Sequence, residues 1–313
     1  MIYEREGRIV KGLGGLFEVR ICEGGEISLV SCRAKGNLKR DDEKLLVGDR
    51  VKLLVDTDTP DSLVISSVVE RENSLIRPPM ANLNYLFVVL AAKKPSPVLE
   101  TVDKLIAICE HNNIRPVVVI TKADLDSTLA GEYYDIYNRI GIPTFLTSST
   151  DRIGLDELSL FVSENIKEGR TAAFAGASGV GKSTLLNALF PHLSLATSDI
   201  SKRIERGRHT TRHVELYPIE ESIESGFLAD TPGFSLIDFE RFDFFSLEDL
   251  IPTFREFLPY IGSCRYQDCA HVGEGNDECA IARATEEGII PETRLASYRS
   301  IYRTLKAKKN QYE

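Results

Sequence analysis

The chain has 313 residues, 42% of them hydrophobic and 27% charged, with a formal net charge of −9. That length suits two or three domains, and that balance suits a soluble globular protein. No apolar run is long enough to span a bilayer, and no region is basic overall, which argues against a membrane protein and a non-specific nucleic-acid binder. Met1-Ile-Tyr-Glu-Arg-Glu is not a signal peptide, so a cytoplasmic location is expected.

Residues 1–75 read as a small β domain. Segments 5–11, 16–22, 26–34, 50–56 and 62–71 alternate apolar and polar residues, and glycines separate the first three. Five such strands suit a small barrel of the OB type, an architecture that often binds oligonucleotides. Arg33, Lys35, Lys39, Arg40 and Lys44 place cations on the central loop, but Asp41, Asp42 and Glu43 interrupt them. Nucleic-acid contact and simple solvation are equally open there.

Arg77-Pro78-Pro79 is a stiff boundary. Beyond it, Asn84 to Ala92 is almost continuously apolar, the mark of a strand covered on both faces. Val98 to His111 has helical spacing, and Pro116 to Ile120 is the next buried strand. That strand runs into Thr121-Lys122-Ala123-Asp124. A carboxylate at Asp124 can accept hydrogen bonds from the N1–H and exocyclic amine of guanine, a donor pair that adenine lacks. Lys122 can lay its stem along the base plane. Thr121 stands where the usual guanine motif, Asn-Lys-x-Asp, has Asn; its hydroxyl can brace the loop with fewer hydrogen bonds. A helix over 131–140 and a short strand over 143–146 follow, then Thr147, Ser148 and Ser149. Ser148 and Ser149 fit a second base-contacting loop, and Ser148 fits a helix cap or turn equally well. Residues 155–166 read as an amphipathic helix.

Residues 171–175 form a short apolar strand, followed by Gly176, Ala177, Ser178, Gly179, Val180, Gly181, Lys182, Ser183 and Thr184, and then by helical spacing to Phe190. Strand, G-x-x-x-x-G-K-S and helix make a phosphate-binding loop. The glycines let successive N–H groups converge on an anion, Lys182 reaches the β- and γ-phosphates, and Ser183 offers its hydroxyl to Mg²⁺. Residues 193–212 have no apolar periodicity and read as a mobile switch loop. Thr211, directly before a strand over 214–219, is the expected threonine ligand of Mg²⁺. A strand over 226–229 ends in Asp230-Thr231-Pro232-Gly233, where Asp230 serves Mg²⁺ and the Gly233 N–H senses the γ-phosphate. Phe234 occupies the place of the glutamine that orients water in many GTPases, and His209 is the candidate substitute.

Of six cysteines, Cys22, Cys32 and Cys109 lie in apolar stretches and read as buried packing thiols. Cys264, Cys269 and Cys279 with His271 give three thiolates and one imidazole, the ligand set of a closed structural zinc site. Helices are expected over 247–258, 279–287 and 291–309. The last carries Arg299, Arg303, Lys306, Lys308 and Lys309 toward its end, where the cations complement the helix terminus or meet RNA phosphates.

The guanine loop precedes the phosphate loop here, whereas in ordinary GTPases it follows. With the β domain in front, the Cys/His cluster behind, Asn73-Ser-Leu-Ile-Arg-Pro at the boundary and Gly207-Arg-His-Thr-Thr in the switch, the chain resembles the RsgA (YjeQ) family of circularly permuted GTPases. The resemblance implies an OB-type β-barrel over 1–73, a permuted α/β P-loop GTPase domain over 74–235 and a mostly helical zinc-binding domain over 236–313. It implies a GTPase acting late in maturation of the small (30S) ribosomal subunit, stimulated by that subunit and bound to 16S rRNA, binding GTP and hydrolysing it to GDP and phosphate, monomeric and away from membranes. In the family pattern the gap before the last cysteine is shorter, which makes Cys279 the least secure ligand. Competing readings are a P-loop ATPase and an RNA scaffold with little turnover. Because the chain runs straight from Asp230–Gly233 into the last domain, a γ-phosphate-dependent shift of that loop is expected to move the domain directly.

Overall fold

Alternation of apolar and polar residues over the first 68 positions produces five strands, and their pairing closes them into a barrel. The protein was analysed as a computed structural model, which describes residues 2–35, 44–56, 59–193, 214–230 and 244–312. These residues fall into two units. The first comprises Met1–Leu86, Asp156–Ala175 and Lys182–Ser235; the second comprises Phe87–Leu155, Gly176–Gly181 and Leu236–Glu313.

In the first unit, β1 (Ile2–Leu13), β2 (Leu16–Glu23), β3 (Glu26–Ala34), β4 (Arg50–Asp56) and β5 (Thr59–Val68) pair in the cyclic order β1-β2-β3-β5-β4-β1. Only β3 and β5 run parallel. This is the expected OB-type ring. Ile9, Val19, Ile21, Val51, Leu53, Val55 and Ile65 fill it. β1 is long enough to pair with β4 over residues 2–8 and with β12 at Lys11, and its register with β2 shifts between Ile9 and Lys11. Such a bulge bends a strand and re-aims its side chains.

A hairpin of β6 (Ser74–Leu75) and β7 (Met80–Ala81) leaves the barrel. Three asparagines secure the exit. Asn73 exchanges hydrogen bonds with the backbone of Leu83, and buried Asn82 donates to the Gly48 carbonyl while accepting from the Glu72 N–H. Asn84 accepts from the Thr171 N–H. Thr171 opens β11 (Thr171–Ala175), which pairs in parallel with β13 (Phe227–Asp230). β13 pairs antiparallel with β12 (Glu215–Pro218), and β12 pairs with β1 of the barrel at Lys11 and Glu215. The barrel and these strands therefore share one hydrogen-bonded run.

In the second unit, β9 (Arg115–Thr121) lies between β8 (Tyr85–Ala91), which crosses in from the first unit, and β10 (Thr144–Leu146). Every residue of β8 is buried, as its unbroken apolar run requires. α1 (Leu99–His111) covers the strands with Val102, Leu105, Ile106 and Cys109. α2 (Ser127–Arg139) starts four residues before the expected position, because the Asp126 side chain accepts from the Leu129 N–H and caps it.

The C-terminal segment contains α5 (Ala280–Glu286) and α6 (Glu292–Tyr312), numbered after α3 (Leu155–Asn165) and α4 (Lys182–Leu189). The α-helix expected over 247–258 does not form. Two 3₁₀ stretches, Ile251–Thr253 and Arg255–Tyr260, stand there instead. Pro252 opens the first and Pro259 interrupts the second, and neither can donate a helical hydrogen bond. The cysteine assignment also needs one correction. Cys32 and Cys109 are buried, but Cys22 is exposed, since it pairs with Ile27 on the face of β2 opposite the barrel-filling Val19 and Ile21.

Arg294 of α6 is fully buried and holds this segment on α1. It bonds Asp103 of α1 at 2.6 Å and Glu256 at 2.7 Å, and its guanidinium lies 4.4 Å from the Phe254 ring centre. Burial opposes its charge, but Asp103 and Glu256 outweigh burial and raise its pKa. Arg294→Met would leave both carboxylates without their cation, at a cost of about 3–5 kcal/mol. Urea unfolding of this variant, followed by circular dichroism, is expected to show an early transition absent from the unsubstituted protein.

Candidate nucleotide site and metal centre

Thr121 ends β9 and is buried. Its hydroxyl faces two carbonyls, Leu90 at the end of β8 (3.1 Å) and Val180 in the glycine loop. One proton serves both, so the side chain stitches the strand to the loop. This is the bracing expected of a threonine at this position. Lys122 adopts a left-handed backbone (φ 56°), and its ammonium donates to the carbonyls of Lys94 and Gly179. Its stem thus crosses the glycine loop, with Cε about 4 Å from the place of a Gly181 β-carbon. Ala123 is buried and its N–H donates to the Thr147 carbonyl, tying the second loop to the first. Asp124 lies in a 3₁₀ turn and is exposed, with its carboxylate available to a ligand.

The Ser148 hydroxyl is fully buried and accepts from the Asp151 N–H, so its side chain builds the turn. Ser149, beside it, is half-buried. Gly154 closes this loop in a left-handed conformation, where a β-carbon would stand 1.9 Å from the Leu146 carbonyl oxygen.

The glycine loop rests against β8. A β-carbon on Gly176 would meet the Val89 carbonyl oxygen at 2.2 Å, so only glycine fits. Gly179 and Gly181 also have positive φ, Val180 is buried, and Ala177 and Ser178 are exposed. In the first unit, α4 begins at Lys182, which is half-buried; burial lowers its pKa below the ordinary lysine value. Ser183 and Thr184 follow on the exposed first turn. Asp230 ends β13 and is half-buried. His209, Thr211 and Gly233 lie outside the described residues.

Cys264, Cys269, His271 and Cys279 converge in the second unit, with all four ligand atoms within 4.8 Å of one another. The His271 Nδ1 is 3.5, 3.3 and 3.4 Å from the three sulfurs in that order, and Cys264 and Cys279 sulfurs are 4.0 Å apart. A tetrahedron with zinc bond lengths would give roughly 3.6 Å for N···S and roughly 3.8 Å for S···S. The cluster is shaped to hold a metal ion. The gap that made Cys279 doubtful folds into a turn on the Gly275 carbonyl, which delivers Cys279 to the cluster. Backbone N–H groups of Ala280 and Ala282 donate to the sulfurs of Cys264 and Cys279, the kind of outer contact that steadies thiolates. Burial pushes the Cys269 thiol up to about 12, raises Cys279 and lowers His271. Burial therefore keeps the imidazole neutral, as a ligand must be, while the thiols need a cation to ionise.

The motif order, the two stitched loops and the four-ligand cluster invite comparison with known proteins. A family model described as RsgA GTPase matches residues 68–240, and one described as the RsgA N-terminal domain matches residues 6–61. The chain belongs to the RsgA GTPase family. The small ribosomal subunit biogenesis GTPase RsgA of Geobacillus kaustophilus (strain HTA426) is 38% identical to it over 314 residues, covering 98% of this chain and 99% of that protein. The protein of the same name from Alkaliphilus metalliredigens (strain QYMF) is 36% identical, over 94% of this chain and 95% of its own. Among solved structures, YjeQ from Thermotoga maritima matches with a TM-score of 0.77 at 31% identity, covering 97% of this chain and 99% of that one. YloQ, a circularly permuted GTPase, matches with a TM-score of 0.76 at 32% identity, covering 98% and 96%. The RsgA layout of strand domain, GTPase domain and C-terminal helices with a Cys/His cluster is the layout of this chain.

Two features of this RsgA chain were not read from its sequence. Arg294 falls on the stripe of Tyr298, Ile301 and Leu305, so its place among apolar residues was a usable signal. Arg8 shares the alternation of Glu4 and Glu6, and nothing marked it as buried. Elemental analysis of the purified protein is expected to find about one metal ion per chain. In Cys269→Ser that content is expected to fall to a minor fraction, with a lower melting temperature; full retention would remove Cys269 from the ligand set.

Proposed function

We propose that this chain hydrolyses GTP to GDP and phosphate when it meets the small (30S) ribosomal subunit, as a late maturation factor in the cytoplasm. The observation that carries the reading is the clamp of Thr121 and Lys122 on the glycine loop, which joins guanine recognition to phosphate binding. The names of the relatives support the ribosomal part. In this reading the chain acts as a monomer that touches 16S rRNA, and its domains divide at 1–73, 74–235 and 236–313.

Asp124 takes the guanine N1–H and amine, Lys122 covers the base, and Thr121, Ala123, Ser148 and Ser149 shape the pocket around it. Backbone N–H groups of Gly176, Ala177, Ser178, Gly179, Val180, Gly181, Ser183 and Thr184 surround the phosphates, and Lys182 supplies a cation to the γ-phosphate. The partly buried ammonium of Lys182 regains full charge stabilisation beside that anion. Ser183, Thr211 and Asp230 form an all-oxygen set suited to Mg²⁺, which when bound neutralises charge on the β- and γ-phosphates. Gly233 donates to the γ-phosphate. Hydrolysis is in-line attack by water, and His209 orients that water in place of the glutamine that Phe234 displaces. Cys264, Cys269, His271 and Cys279 hold a structural Zn²⁺, which completes no reaction step.

GTP turnover by the pure protein is expected to rise about tenfold or more when purified small subunits are added, with ATP turnover unchanged. Equal turnover of ATP would sink the guanine assignment. Asp124→Ala is expected to weaken GDP binding about a hundredfold, read by fluorescent nucleotide titration. His209→Ala is expected to lower stimulated kcat about tenfold or more with GDP affinity retained. Unchanged stimulated turnover in that variant would leave the water to another group.

A further inference from the structure

Arg8 sits in β1 of the barrel, yet its guanidinium is spent outside the barrel. It donates to the carbonyl of Gly169, to the Thr171 hydroxyl at 2.7 Å and to the Asn82 carbonyl at 3.3 Å. Thr171 is the first residue of β11, the strand whose far end continues into the glycine loop. The same guanidinium lies 5.0 Å from the ring centre of Phe227, the first residue of β13, whose far end is Asp230. Arg20, paired with Arg8 across β1 and β2, lies 5.2 Å from that ring and donates to the Ser222 carbonyl at 2.7 Å. Two barrel arginines thus grip one aromatic ring and the starts of both strands that lead to the phosphate-facing loops. A third tie is Lys11, which pairs with Glu215 at 3.0 Å where β12 leaves the stretch that carries His209 and Thr211.

The chemistry of the grip is specific. Arg8 is buried, and its direct partners are two carbonyls and a hydroxyl rather than a carboxylate. Hydrogen bonds from the planar guanidinium to carbonyls and a hydroxyl are directional, so a small rotation of β1 weakens them. Gly169 and Thr171 flank one residue, Arg170, so their contacts define the entry angle of β11.

We propose that Arg8 is a positioning residue for GTP hydrolysis, with Arg20 and Phe227 as its seat, through which a partner bound to the barrel sets β11 and β13. The proposal rests on the GTPase reading above. It makes the N-terminal barrel, rather than the helical C-terminal segment, the part of the chain that reports partner binding to the phosphate-facing loops.

The test compares the full-length protein with Arg8→Gln, Arg8→Lys and Arg20→Gln. Measured are GTP turnover with and without small ribosomal subunits, fluorescent GDP affinity, co-sedimentation with the subunits and thermal melting. Arg8→Gln is expected to lose stimulated kcat at least about tenfold, with KM for GTP, GDP affinity and subunit binding within about twofold. Arg8→Lys, which keeps the cation, is expected to recover part of that loss, and Arg20→Gln to show a smaller loss of the same kind. Stimulated kcat that stays normal in Arg8→Gln and Arg20→Gln, or falls only as subunit binding falls, overturns the proposal. If the Gln variant does not fold, the Lys and Arg20 variants decide. No stimulation of the unsubstituted protein overturns the coupling but leaves a GTPase; no GTP turnover at all overturns the reading beneath it.

Discussion

The carbonyl oxygen of Val89 lies 2.2 Å from where a side chain on Gly176 would have to begin, and this contact sets the site. It forces glycine at the first position of the loop and presses that loop against β8. Once there, the loop offers the Val180 and Gly179 carbonyls to Thr121 and Lys122. The Thr121–Asp124 loop and the glycine loop are then one piece of structure. In a permuted chain, where the guanine loop comes first, this packing contact does what chain order does not.

Two buried arginines show how environment decides what a buried cation does. Arg294 faces two carboxylates, and their charges hold its pKa above the ordinary value despite burial. Arg8 faces carbonyls and a hydroxyl; burial, helped by nearby Arg50, lowers it to about 10, so it stays charged at neutral pH. The first arrangement is charge-assisted, suited to fastening helices. The second is weaker and directional, suited to fixing the pose of strands. Each arginine stands in a different unit; Arg294 is marked by the apolar stripe it falls on, whereas patterning shows Arg8 only as another charged residue.

What was legible in the sequence follows from how local the cause was. Strands of the barrel, the apolar run of β8 and the glycine loop are written in short-range pattern, and all appear where expected. Helix α2 was read late because its cap, Asp126, belongs to a polar stretch whose capping is seen only once the Leu129 N–H points at it. The helix expected over 247–258 failed because Pro252 and Pro259 outweigh its apolar spacing. Cys22 was misread because alternation fixes which residues share a face but not which face is inside; only closure of the barrel decides that. Ser148 was ambiguous for the same reason, since a hydroxyl that closes a turn and one that waits for a ligand have the same sequence. Arg8 depends on Gly169 and Thr171, more than 160 residues away, and no local pattern carries such a contact.

Covalent continuity is a weak guide to mechanical coupling, and the C-terminal segment illustrates why. The chain passes from Asp230 directly into residues 236–313, which suggested that the loop after Asp230 moves the last domain. That loop lies outside the described residues, and the described contacts of the segment are with α1, α2 and the turn after α2. Arg294 bonds Asp103 of α1, Arg255 bonds Glu110 of α1 and the Gly141 carbonyl, and Arg139 of α2 bonds the Gly288 carbonyl. These ties fasten the helical segment to the half that carries the guanine loop. Any displacement of residues 236–313 relative to α1 must first break a buried ion pair, which costs several kcal/mol. β1 and β12, by contrast, are joined by strand pairing at Lys11 and Glu215. Chain order ties the last domain to Asp230, while the packing of its described residues ties it to α1 and α2.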